Sequence, residues 1–146
     1  MKSKVEQPIV LICIFTWIGF ICAISFMEAW LKFRAPGVTL PIGLGIGRLV
    51  FAALNKVEWV FAIAILFSNI RTVRKPKAML FYLLALLLLI IQTAWLLPAL
   101  DSRAEMYIVG KNVPPSSLHL YYAIAEVIKF ISLFIYGIKL FKLEKA

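Results

Sequence analysis

The run LHLYYAIAEVIKFISLFIYGI, from Leu118 to Ile138, is long enough to cross a bilayer as one helix, yet it carries Glu126 and Lys129 near its middle. Each charge at the centre of a membrane helix costs about 2.5 to 3.5 kcal/mol on insertion scales, so such residues turn toward a bundle interior and toward partners. A chain with this segment is constrained to form a bundle with a polar interior, which a plain anchor lacks.

The rest of the chain supplies the other helices. Of its 146 residues 63% are hydrophobic, in long runs that leave no soluble domain over. The class is all-α, an integral membrane four-helix bundle of one domain covering residues 1–146. The expected spans are about 9–30, 47–70, 77–100 and 117–141. The first keeps its place in the mature chain, since ISFMEAW offers no small-x-small cleavage site after the apolar run. LKFRAPGVTLPIG, with two prolines and two glycines, reads as an interfacial turn. WVFAIAILFSNI is only ~18 Å of helix against a core of ~30 Å, so the second span must extend backwards through Glu58, Lys56, Asn55 and Arg48. Pro98 is expected to kink or end the third span. Ser116 or Ser117 is the expected N-cap of the fourth.

The net charge of +9 would suit a nucleic-acid binder, but its placement argues against one. Lys2, Lys4, Arg71, Arg74, Lys75, Lys77, Lys139, Lys142 and Lys145 fall on one side of such a bundle, and Lys32, Arg34, Arg103 and Lys111 on the other. By the positive-inside rule both termini are cytoplasmic, in a multi-pass protein of a plasma membrane such as the bacterial inner membrane. No nucleic-acid partner is expected. Cys13 and Cys22, nine residues apart on one helix (~13 Å), are too distant to bridge each other.

Counting from the cytoplasmic ends at ~1.5 Å per residue puts Glu58 level with Lys129 at ~18 Å, Asn55 with Glu126 at ~22 Å, and Arg48 with His119 at ~33 Å. Arg48, Asn55 and Glu58 share one face of their helix, as do His119, Tyr122, Glu126 and Lys129. These stripes predict one polar column, with Glu28 near its outer end and Gln92 facing its middle. Glu58 is expected to pair with Lys129, and Glu126 or Glu28 with Arg48. The candidate ligand-binding set is Glu28, Arg48, Asn55, Glu58, His119, Tyr122, Glu126 and Lys129.

Neither catalytic nor metal residues are predicted, and no cofactor is expected. A lone His119 cannot supply a bis-His haem site. PIGLGIGR has neither the Lys-Ser/Thr of a phosphate loop nor the dinucleotide spacing. Gly43 and Gly47 form a small-xxx-small pair that allows close helix contact, including with a second copy of the chain.

The order of marks GRLVF (Arg48, Phe51), Asp101 with Arg103, and Leu118 with His119, after a Gly- and Phe-rich first span, resembles small four-helix membrane proteins of the transmembrane-205-like type. That family is largely of unknown function, so the resemblance implies a fold and no activity. Two functions fit: a protein binding or transporting a small solute, proton or lipid head group in its polar column, or an accessory subunit whose charge pairs only fix helix packing. A membrane enzyme ranks third, for want of any catalytic motif or spacing.

Overall fold

The computed structural model describes the backbone of residues 2–5, 7–71 and 76–144, and the side chains of 7–70 and 77–141. Four helical rods account for most of it: α1 (Pro8–Arg34), α2 (Leu40–Ile70), α3 (Lys77–Ile108) and α4 (Leu118–Lys139). All four are long and apolar enough to cross a membrane. Their outward faces are correspondingly apolar, with Leu49, Val60, Phe67, Leu80 and Ile128 all exposed, a surface suited to lipid. α1 packs on α2 and α4, the first half of α3 on α4, and its second half back on α2, which closes a ring of four.

The first three helices run further than the sequence pattern indicates, for identifiable reasons. Pro41 does not belong to a turn. It sits in the first turn of α2, where its missing N–H would have no helical partner anyway, and the Thr39 carbonyl accepts the first bond from Gly43 N at 2.9 Å. The break is confined to the short segment around Gly37, whose φ of 82° suits glycine. Pro98 does not end α3. A π-helical stretch, Gln92–Leu96, lies immediately before Leu97–Ile108, and its wider turn accommodates a proline ring that would otherwise press on the carbonyl four residues back. α3 stops instead at Gly110, whose φ of 73° lets the Lys111 amide return to the Met106 carbonyl at 2.9 Å. At α4 Ser117 is the cap residue by position, but the hydroxyl that reaches the first turn is that of Ser116, accepting from Leu118 N at 3.2 Å.

The expectation of a purely helical chain needs one correction. The segments before α1 and after α4 pair as a two-stranded antiparallel ribbon, β1 (Lys2–Val5) with β2 (Phe141–Glu144), in the register Val5 to Phe141 and Lys2 to Glu144. The last span therefore ends at Lys139, short of residue 141. The ribbon holds both termini at one end of the bundle. The basic loop expected between the second and third spans lies largely outside the described residues.

Between the ribbon and mid-bundle the core is mainly apolar. Ile14, Trp17, Ile18 and Ile21 of α1, Ala78, Tyr82, Ala85 and Leu89 of α3, and Leu133 and Tyr136 of α4 recur at three- and four-residue spacing and are buried together. Gly137 lets α1 approach there: a Cβ at this position would meet Phe15 and Ile14 at 3.1 to 3.3 Å. Gly43 and Gly47 are also buried, under Phe33 and Lys32 of the same chain. The close contact seen at both glycines is with side chains of the same chain.

Candidate functional site

At mid-depth the apolar core gives way to a layer of charge. Trp17 on α1, Glu58 on α2, Gln92 on α3, and Glu126 with Lys129 on α4 are all buried. Glu126 and Lys129 lie three residues apart, and Tyr122 and Leu133 continue the same inward stripe, so one helical periodicity places both apolar and charged groups inside. The Lys129 ammonium, which has three N–H groups to offer, has three oxygens around it: Glu58 Oε1 at 2.5 Å, Glu126 Oε1 at 2.8 Å and Gln92 Oε1 at 2.5 Å. Trp17 Nε1 donates to Glu58 Oε1 at 2.9 Å, and Gln92 Nε2 to Glu126 Oε1 at 2.6 Å. Every helix thus contributes to one knot. The second oxygen of each carboxylate, Glu58 Oε2 and Glu126 Oε2, is buried with no hydrogen-bond partner among the described residues.

On the side of this knot away from the ribbon the bundle opens into a cavity of about 550 Å³. Its walls come from the end of α1 (Ala29, Lys32, Phe33), the first half of α2 (Gly43 to Lys56), the second half of α3 (Thr93 to Ala104) and the start of α4 (His119, Tyr122). The floor is a polar layer of neutral groups. Asn55 Nδ2 donates to Thr93 Oγ1 at 2.9 Å, and Trp59 Nε1 donates to the same oxygen at 2.9 Å. Thr93 Oγ1 in turn donates to the Leu89 carbonyl at 2.8 Å. Asn55 is one turn from Glu58, Tyr122 one turn from Glu126, and Thr93 is next to Gln92, so this floor roofs the knot directly.

The single polar column expected from the sequence is therefore two sites. Glu58, Glu126 and Lys129 form the sealed knot. Arg48, Asn55, His119 and Tyr122 line the cavity. Glu28 belongs to neither: its carboxylate takes Lys32 Nζ at 3.2 Å, one turn along α1. Arg48 does not reach Glu126 or Glu28. Its guanidinium spans Asp101, at 2.5 Å from Nε, and Glu105, both near the end of α3, because α3 continues past Pro98 and carries these acids alongside α2. The equal depth read for Glu58 and Lys129 does correspond to a contact. Phe51 stacks edge-on against Tyr122, ring centres 5.3 Å apart, closing the cavity wall between α2 and α4.

Further contributors lie outside the candidate set, beyond Gln92, which is expected to face the column. Trp17 and Thr93 sit in runs that read as apolar, although a buried indole N–H needs an acceptor and so carried a signal. Lys32 seemed interfacial. Lys56 was placed in the bundle but given no role. Among the described residues no group of three or more His, Cys, Asp or Glu is placed to hold a metal ion. No family model, no curated protein and no solved structure matches the chain.

Proposed function

We propose that this is a membrane-embedded binding or transport protein whose cavity takes a small solute or lipid carrying an anionic group. The observation that carries it is Lys56. This residue lies ~24 Å along α2 from Leu40, midway through the helix, lines the cavity, and is exposed with no ion pair or hydrogen bond among the described residues. A lone ammonium at that depth is costly unless an anion meets it. The other cations of the wall are already engaged, Arg48 by Asp101 and Glu105, and Lys32 by Glu28. Above the polar floor much of the wall, including Phe33, Leu44, Phe51, Leu97 and Leu100, is apolar and suits a hydrocarbon or ring body.

The distribution of Lys and Arg supports cytoplasmic termini in a plasma membrane such as the bacterial inner membrane, which turns the cavity toward the outer face. With Lys111→Cys in a cysteine-free background, an impermeant thiol reagent added to intact cells should label the protein, and labelling only after permeabilisation would reverse the orientation. Native mass spectrometry from mild detergent should show a retained anionic adduct on the wild type and its loss in Lys56→Gln. The same adduct on both proteins would sink the assignment of the cavity.

A second function, that of an accessory subunit, is favoured by one observation: the knot joins all four helices and lies outside the cavity lining. If Lys56→Gln and wild type both emerge without any adduct, the knot's packing role is what remains.

A further inference from the structure

We infer that the buried knot is a proton-binding site, in which Glu58 and Glu126 hold one exchangeable proton between them. The inference is independent of what occupies the cavity. Two carboxylates and one ammonium leave a formal charge of −1 if all three are ionised, in a place where none of the three is exposed. What each helix presents to the knot does not cancel that charge. α1 offers the Trp17 indole and, beside Tyr122, the Ser25 hydroxyl, and α3 the Gln92 amide, all neutral. α2 adds only Glu58, and α4 adds Glu126, Lys129 and the phenol of Tyr122 one turn away.

Hydrogen bonding leads to the same place. Three oxygens already surround the Lys129 ammonium, and Trp17 and Gln92 have spent their donors on the Oε1 atoms. Among the described residues two oxygens of the knot have no hydrogen-bond partner within normal geometry, Glu58 Oε2 and Glu126 Oε2, one on each acid, with the Tyr122 hydroxyl the neighbouring donor on the Glu126 side. A proton on either oxygen brings the knot to neutrality and supplies an O–H where the structure has a bare buried acceptor. Each Oε1 accepts from Lys129 and from one neutral donor, and both acids share the one ammonium, so the proton is assigned to the pair and not to one residue.

A metal cation would balance the charge equally, but space favours the proton. The cavity lining stops at Asn55, Thr93 and Tyr122 and includes neither glutamate. A proton needs no such volume. The same three residues separate the cavity from the knot by a single polar layer, which gives the proton its route in and out.

The test is infrared spectroscopy of the purified protein at neutral pH, following the C=O stretch of an unsolvated carboxylic acid. The wild type should show this band, shifting on transfer to D2O, and both Glu58→Gln and Glu126→Gln should lose it, because the remaining carboxylate then balances Lys129 without a proton. Since glutamine has the shape of the protonated acid, both variants should still fold, as judged by thermal unfolding. A wild type without the band, a band that survives in both variants, or failure of both variants to fold would each overturn the inference. So would a band that appears only after sodium and other metal cations are removed, which would assign the site to a metal. Lys56→Gln should leave the band in place, so failure of the cavity assignment and failure of this one are separable.

Discussion

Lys129→Met is expected to destabilise the bundle by about 3 to 5 kcal/mol, the range found when one partner of a buried ion pair is removed and the other is left in place. The knot makes the reason specific. With the ammonium gone, Glu58 Oε1 and Glu126 Oε1 lose the donor 2.5 and 2.8 Å away, and Gln92 Oε1 loses its own at 2.5 Å. The methionine fills most of the lysine volume, so little of the loss comes from an empty space. Adding Glu58→Gln and Glu126→Gln should recover much of the stability, because the uncompensated charges then disappear together. Thermal unfolding in detergent of the single, double and triple variants forms the cycle that isolates the coupling. If the effects simply add, the three residues do not act as a unit, despite the distances between them.

Gly137→Leu should open the bundle at the opposite, mainly apolar end. A Cβ at this position already meets Phe15 and Ile14 at 3.1 to 3.3 Å, and a full isobutyl group has nowhere to go except by pushing α1 away from α4. Overpacking of this kind costs about 1 to 3 kcal/mol. The displacement should reach the terminal ribbon, whose two strands extend from these same two helices. Lowered thermal stability together with faster hydrogen exchange over the strand amides is the expected outcome. Wild-type stability would mean that α1 and α4 do not pack closely at Gly137. Cavity ligand retention should change little, since no residue near Gly137 lines the cavity.

The membrane bundle was legible from residue order because its cause is local. Long apolar runs have few alternatives in water or lipid, and the i, i+3, i+4 spacing of Tyr122, Ala125, Glu126 and Lys129 puts charge on the inward stripe wherever the helix packs. Equal depth paired Glu58 with Lys129 for the same reason, since helix rise is fixed and both lie on spans of common direction. Arg48 illustrates the limit of depth as a guide. It matched His119 in level, but its partners Asp101 and Glu105 became available only because α3 continued beyond Pro98, a consequence of the π-helical stretch that a proline rule does not foresee.

What the sequence by itself determined is the number of spans, the existence of a polar interior and the inward face of α4, all of which follow from hydropathy and helical period. Tertiary structure alone decided that this interior divides into a sealed knot and a separate cavity. That division depends on which neighbour supplies the last hydrogen bond: Trp17 from α1 and Gln92 from α3 close the knot around Lys129, while Thr93 and Asn55 cap it from above. Donors and acceptors on four helices meet there only after the helices have chosen their rotations. Those rotations are set by the sum of many apolar contacts along each rod, so no local stretch of residues encodes them.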